Sequence, residues 1–250
     1  MRRGFPLAML VLVSLPASGS AERVGSYSQC VALVQRNPSL GEESARVWLN
    51  EGGGAAAMHC SALALTALQR YGEAARELDV VARNRAITNN LDRGDLFDQA
   101  GNAWMLAGSA GNAVRSFSNA LSQNANDIGY LVDRARAYAM MKDWSGANND
   151  LSAALVKDQN RADLLVLRAS ARWALGRKAD AATDIVRALQ LYPDYPAALV
   201  ERGMMKFSVD DKEGARADWK KAASQPGGGA AVEEARRNLA ALGPESKPGR

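Results

Sequence analysis

The sequence is poor in the residue types that most enzymes and metalloproteins use for chemistry. It has one histidine, two cysteines and 6% aromatic residues in a chain of 250. His59 and Cys60 are adjacent, and adjacent helical residues point apart, so they cannot form a nucleophile pair. A structural zinc site needs four ligands, and His59 with the two cysteines supplies three. The composition therefore predicts a protein that is not an enzyme and that holds no cofactor or metal.

Charge of one sign and long apolar runs are also scarce. The formal net charge is +4 with both signs interspersed, which does not predict nucleic-acid binding. At the start of the chain, Arg2 and Arg3 precede a short apolar run from Phe5 to Pro16, and small residues follow up to Ala21. This order is typical of a secretory signal, and the run is shorter than the roughly 20 residues that span a bilayer. We therefore expect an exported protein, in a bacterial periplasm, without stable membrane insertion.

Export changes the interpretation of the two cysteines. An even number of cysteines in an oxidising compartment favours a disulfide, which here would join Cys30 and Cys60. The alternative is that both are buried free thiols, which pack as small hydrophobic side chains.

What the sequence does contain is a regular repeat. Four alanines recur at one constant interval, namely Ala113, Ala147, Ala181 and Ala215. Each is followed at fixed spacings by a bulky apolar residue and then by another alanine, and a glycine or alanine lies at a fixed spacing before it. A period of this length predicts a repeat architecture in which each unit is two amphipathic helices that bury their apolar faces by stacking.

This pattern resembles the tetratricopeptide repeat family, whose unit is a 34-residue helix–turn–helix. The matching features are the small residue of the first helix, the two alanines and the bulky apolar residue of the second helix, and Pro193 at the end of one unit. Arg172 and Lys206 depart from the family pattern because they replace its usual aromatic residue. The resemblance implies an all-α, right-handed α-solenoid that binds a protein or peptide partner.

The repeat register divides the chain into segments. We expect a signal peptide at 1–21, an N-terminal helical hairpin at 22–54, the repeat array at 55–229, a C-terminal capping helix at 230–242 and a disordered tail at 243–250. The array holds about five units, at 55–93, 94–127, 128–161, 162–195 and 196–229. The first unit is the longest because a polar stretch from Arg83 to Asp95 adds a longer loop.

A second pattern shares the period of the repeat. Three units carry an arginine on the first helix and, at one fixed spacing after it, an aspartate, whereas the unit 94–127 carries Ala100 and Ser116 and so lacks both charges together. Because a buried arginine needs a partner and a carboxylate suits it in a bidentate contact, we predict ion pairs that join the two helices of a unit rather than a basic groove for an acidic ligand. The predicted pairs are Arg134 with Asp150, Arg168 with Asp184 and Arg202 with Asp218.

By the same resemblance, the first helices of the units line a concave groove. The positions that it implies are Asp98, Asn102, Met105, Val132, Arg136, Ala139, Met140, Val166, Ser170, Trp173, Val200, Met204 and Phe207. Methionines and aromatic side chains suit an extended or helical peptide. Apolar residues at helical spacing are equally typical of ordinary core contacts. The lysines with which some family members grip a carboxylate-terminated peptide are missing here, so that specificity is not expected.

These observations predict a scaffold or adaptor for protein–protein interactions in cell-envelope assembly. One alternative is a structural array that associates with itself through its convex face or its ends. Another is an accessory subunit of an envelope enzyme, which the shortage of histidine and of nucleophile–base pairs disfavours.

Overall fold

The structure is a computed structural model, and it describes residues 22–84 and 92–243. The predicted signal peptide at 1–21 and the tail beyond residue 243 lie outside the described residues. The described residues form thirteen α-helices and one π-helical turn, with no β-strand among them. The helices are α1 (Tyr27–Arg36), α2 (Pro38–Trp48), α3 (Gly54–Ala67), α4 (Tyr71–Arg83), α5 (Arg93–Leu106), α6 (Ala110–Gln123), α7 (Ile128–Met140), α8 (Trp144–Lys157), α9 (Ala162–Ala174), α10 (Lys178–Leu191), α11 (Pro196–Phe207), α12 (Lys212–Ala223) and α13 (Ala230–Leu242), and the π-helical turn is Leu49–Gly53.

The helices stack in chain order. Each helix from α3 to α13 packs against the next one, and first helices of neighbouring units also touch, as α5 does with α7, α9 with α11 and α11 with α13. Most of the buried apolar residues of α3 to α13 form one continuous cluster along the stack, as the predicted repeat requires. A smaller cluster of Ala113, Phe117 and Ala137 lies between α6 and α7. The all-α solenoid that the sequence predicts is confirmed.

Small residues of the first helices explain how closely the two helices of a unit approach. A Cβ added to Gly101 would overlap the ring of Phe117, and one added to Gly203 would overlap the ring of Trp219. The three units that carry alanine at this position have leucine or isoleucine, not an aromatic residue, at the second-helix position. The size of the small residue is therefore matched to the bulk of its partner.

A left-handed residue ends the first helix of every unit. Gly108 and Gly176 occupy this position in two units, with φ of 72° and 76°. Gln69, Lys142 and Asp210 occupy it in the other three, with φ of 60°, 60° and 64°. The turn therefore has one backbone geometry throughout, and units without glycine adopt it at a cost in conformational energy.

The disulfide predicted between Cys30 and Cys60 is confirmed. It joins α1 to α3 with a Cα–Cα distance of 6.2 Å. Both cysteines are fully buried in a cluster with Leu33, Val34 and Ala45, separate from the core of the array. The N-terminal helices are thus attached covalently to the first helix of the array.

His59 connects the same region to the next unit. The hydroxyl of Tyr27 on α1 lies 2.9 Å from Nδ1 of His59, and Oε1 of Gln99 on α5 lies 2.9 Å from Nε2. Because an amide oxygen only accepts, Nε2 carries the proton and Nδ1 accepts from the tyrosine. Burial lowers the pKa of His59, so this histidine is a neutral, hydrogen-bonded link between three helices.

Candidate binding face

The first helices of the last units, α5, α7, α9 and α11, together with α13, lie side by side and form what we call the first-helix face. The predicted groove residues on this face differ in exposure. Arg136, Met140, Met204 and Phe207 are exposed, whereas Asp98, Asn102, Met105, Ala139, Ser170 and Trp173 are partly buried.

The three valines predicted to face the groove belong instead to the core. Val132, Val166 and Val200 are 6%, 7% and 4% exposed and pack in the continuous cluster of the array. This corrects the expectation, because these three side chains are part of the core and are not available to a partner. Only Asp98, the polar residue at the same repeat position, remains half-buried.

A small apolar pocket opens on this face between α7, α8 and α9. It has a volume of about 80 Å³. Ala139, Trp144, Leu167 and Ser170 lie in its wall, and Arg136 stands beside them. The lining is almost wholly apolar, so the pocket suits a hydrocarbon group better than water.

A difference between the repeat units explains the pocket. Ala139 occupies the position at which the other three uniform units carry Met105, Trp173 and Phe207. The unit 128–161 is therefore the one that lacks a large side chain at this point of the face. The cavity lies where that side chain would be.

Two half-buried carboxylates lie on either side of this pocket, and the first belongs to Asp98 on α5. It accepts a hydrogen bond from Nδ2 of Asn102 at 3.0 Å, and its other oxygen is buried with no hydrogen-bond partner among the described residues. Burial, with the nearby charges of Asp133, Asp95 and Asp127, raises the pKa of Asp98 to about 7.

The second carboxylate belongs to Glu201 on α11. It accepts a hydrogen bond from the hydroxyl of Ser170 on α9 at 2.8 Å, and burial raises its pKa. Within residues 22–84 and 92–243, neither Glu201 nor Asp98 has a cation within salt-bridge distance. The exposed Arg136 is occupied by Asp133, at 2.7 Å.

Apolar side chains continue along the face toward its C-terminal end. A second pocket, of about 170 Å³, lies between α11 and α13 and is lined by Met204, Phe207, Trp219 and Asn238. The rings of Phe207 and Trp219 are 5.9 Å apart. On α9, the ring of Trp173 lies under the ammonium of Lys178, at 5.1 Å. The face thus offers aromatic and thioether groups that a partner could contact.

In the structure, each arginine of the predicted ion pairs contacts its predicted aspartate. The arginines donate from both Nε and a terminal nitrogen, which makes each contact bidentate. The shortest contacts are 2.7 Å for Arg134 with Asp150, 2.7 Å for Arg168 with Asp184 and 2.6 Å for Arg202 with Asp218. These pairs lie between the helices of a unit, as predicted, and are not part of the first-helix face.

Two further members of these clusters were not predicted. Arg172 lies 2.7 Å from Asp184, and Lys206 lies 2.8 Å from Asp218. They are the residues that depart from the family's aromatic position, which in the unit 128–161 is Tyr138, under the guanidinium of Arg134 at 5.8 Å. Arg172 and Lys206 therefore each supply a second cation to a buried aspartate.

The unit without the charged pair has its own buried carboxylate. Asp79, on α4 of the preceding unit, accepts from Nε1 of Trp104 at 3.0 Å and from the hydroxyl of Ser116 at 2.9 Å. The serine that replaces the aspartate is thus hydrogen-bonded to an aspartate one helix pair earlier. The repeat pattern of the sequence does not predict this hydrogen bond, because the carboxylate of Asp79 comes from the preceding unit.

In the part of the chain that the structure describes, no helix combines the length and the apolar character needed to cross a membrane. Nor does this part of the chain bring together three or more histidine, cysteine or acidic side chains in a way that could hold a metal ion.

Comparison with known proteins shows the class of fold. A solved structure of MamA from Desulfovibrio magneticus RS-1 is 19% identical, with a TM-score of 0.59 over 74% of this chain and 96% of that one. A tetratricopeptide repeat protein from Parabacteroides merdae ATCC 43184 is 17% identical, with a TM-score of 0.56 over 86% of this chain and 84% of that one. No family model matches the sequence, and no curated protein does. The chain has the tetratricopeptide-repeat fold.

Proposed function

We propose that this protein is a scaffold for protein–protein interactions that binds a peptide or protein segment along its first-helix face. The observation that carries the proposal is the exposure of large apolar side chains on that face. Met140, Met204 and Phe207 are 50%, 45% and 44% exposed, in a fold whose large apolar residues are mostly buried. Exposed apolar side chains also occur on second helices, as Val156 and Val186, but those of the first-helix face are the larger thioether and aromatic groups that are enriched at interaction sites.

We further propose that the protein works in an oxidising compartment of the cell envelope. The buried disulfide between Cys30 and Cys60 supports this, because structural disulfides persist outside the reducing cytosol. An envelope adaptor would hold its partner during assembly without performing chemistry on it.

The test is crosslinking in the native envelope, followed by identification of the captured partners by mass spectrometry. Trp173→Ala and Met204→Ala should each reduce capture of the same partner without unfolding the protein. The matched controls are Val156→Ala and Val186→Ala, because these valines are 73% and 50% exposed on second helices, away from the first-helix face. Capture that both first-helix variants leave unchanged would contradict the proposal.

Self-association is a second candidate, favoured by the same exposed valines of α8 and α10. Sedimentation velocity over a range of concentrations distinguishes the two functions. A scaffold that binds a foreign segment sediments as a monomer at all concentrations. An array that self-associates through its second helices sediments faster as concentration rises, and Val156→Asp would abolish the change.

A further inference from the structure

The pocket at Ala139 and the two carboxylates that flank it define the chemistry of the bound segment. We propose that the partner inserts one aliphatic side chain into this pocket and places a basic residue on each side of it. The inference rests on the proposed function, because it specifies which segment the first-helix face binds.

The aliphatic residue follows from the size and lining of the pocket. An apolar cavity of about 150 Å³ holds a benzene molecule, so about 80 Å³ suits a branched aliphatic group better than an aromatic ring. Ala139, Leu167 and the ring of Trp144 would surround that group. At the same position, the other uniform units carry a methionine, a tryptophan or a phenylalanine. The partner would supply what this unit lacks.

The basic residues follow from charge. Asp98 and Glu201 each accept one hydrogen bond from a neutral group, the amide of Asn102 and the hydroxyl of Ser170. Arg136, the cation beside the pocket, is already paired with Asp133. No described residue gives either carboxylate an ion pair, and a lysine or arginine of the partner would supply it. At Asp98 the cation would approach Oδ2, because Oδ1 is buried. The raised pKa of both groups is consistent with this lack of a cation.

The spacing follows from helix geometry. Asp98 lies on α5, the pocket lies between α7 and α9, and Glu201 lies on α11. Packed helices are about 8–10 Å apart, and an extended chain advances about 3.3 Å per residue. The basic residues therefore lie roughly four positions from the aliphatic residue, one toward each end of the segment.

The experiment uses the full chain and three pools of fluorescein-labelled, end-blocked nonapeptides. One pool has lysine at both ends and leucine in the centre, the second has glutamate at both ends and the same leucine, and the third is unbiased at all nine positions. We expect fluorescence anisotropy to show the lysine pool binding roughly tenfold more tightly than either of the others. Equal binding of the lysine and unbiased pools would overturn the proposal, as would preference for the glutamate pool.

Variants then locate the contact. Ala139→Met fills the pocket with the side chain that the first uniform unit carries, and it should weaken binding of the lysine pool roughly tenfold. The matched control is Ala182→Met, which adds the same side chain at an exposed position of α10, a second helix, and should leave binding unchanged. Asp98→Asn combined with Glu201→Gln should remove the preference for lysine over glutamate.

The outcomes separate this inference from the proposed function. If Trp173→Ala weakens capture of the native partner while Ala139→Met binds the lysine pool as the wild type does, the face binds a partner and the pocket is not its anchor. If Trp173→Ala and Met204→Ala both leave capture of the native partner unchanged, the proposed function itself fails. Circular dichroism of each variant confirms that the helices are intact.

Discussion

Asp184 on α10 binds two arginines of α9 at once. Arg168 donates to one carboxylate oxygen at 2.7 Å from Nη2, and Arg172 donates to the other at 2.7 Å from Nη1. The aspartate side chain is 4% exposed, and each arginine side chain is 16% exposed. Three charges that are this far removed from water depend on one another, since each would be costly to bury alone.

Asp184→Asn should therefore destabilise the protein strongly, by about 3 kcal/mol, because it leaves two mostly buried guanidinium groups without a carboxylate. The control is Asp180→Asn on the same helix, whose partner Arg177 lies 2.8 Å away with both side chains about half exposed. An exposed pair of this kind contributes about 0–1 kcal/mol. Urea unfolding followed by circular dichroism measures both, and equal losses would contradict the assignment.

Recurrence explains which of these charges were predictable. The arginine–aspartate pairs appear in three units at one spacing, so the sequence predicts them. Arg172 and Lys206 take a position where other units carry aromatic residues, and only the structure shows that they reach the same aspartates. Asp79 escaped prediction because its partners, Trp104 and Ser116, belong to the following unit.

The exposed side of the first helices was predictable from the sequence, but the burial of its individual residues was not. A helical period tells which residues share a side, so Met140, Met204 and Phe207 were assigned to an exposed side of the first helices. It does not tell how deeply the adjacent helices bury a residue, and Val200 is therefore core rather than surface. The sequence does indicate the pocket at Ala139, because a small residue stands where three other units carry large ones. It does not show whether the neighbouring helices repack to close the gap.

Gly203→Ala should destabilise the last unit by about 1–3 kcal/mol, because the added Cβ would overlap the Trp219 ring and the two helices would have to separate. Gly111→Ala is the matched control on α6, since a Cβ there meets no atom within 4 Å. That substitution should stabilise the protein by about 0.5–1 kcal/mol, because alanine is the better helix former. Thermal melts of the two variants should therefore shift in opposite directions.

Replacing both cysteines, as Cys30→Ser with Cys60→Ser, should lower the free energy of unfolding by about 3–4 kcal/mol. The disulfide closes a loop with a sequence separation of 30. In the loop-closure model, its removal raises the conformational entropy of the unfolded chain and so lowers the stability by this amount. Wild-type protein unfolded in the presence of a reductant provides the control and should approach the stability of the double variant. A double variant as stable as the oxidised protein would show that α1 and α2 are held by packing alone.

Asp98→Asn should stabilise the protein more at pH 8 than at pH 5. The folded carboxyl has its pKa raised to about 7, whereas in the unfolded chain the value is about 3.9. Between these values the unfolded state loses a proton that the folded state keeps, so the free energy of unfolding falls as pH rises. Asparagine removes this penalty and retains an oxygen for Asn102. Thermal melts at both pH values measure the difference, and a stabilisation that does not change with pH would contradict this account.

His59→Gln tests a pH effect of the opposite sign in the N-terminal region. Burial lowers the pKa of folded His59, while an unfolded histidine titrates near pH 6.5. Below about pH 6.5 the unfolded state therefore binds more protons than the folded state. As the pH falls from about 6.5 to the lower pKa of the folded protein, the free energy of unfolding decreases. Protonation would also place a hydrogen on Nδ1, which now accepts from Tyr27, so α1 should loosen from α3 first.

The measurement for His59 is the difference in melting temperature between wild type and His59→Gln at pH 5 and pH 7.5. Comparing the variant with wild type at each pH cancels the contribution of Asp98, which both proteins share. The glutamine side chain has no charge to gain, so the variant should lose less stability than wild type on going to pH 5, even if it is weaker at pH 7.5. Tyr27→Phe is the control, because it removes one hydrogen bond to the ring and leaves the histidine titratable. Parallel losses in wild type and His59→Gln would place the acid sensitivity elsewhere in the chain.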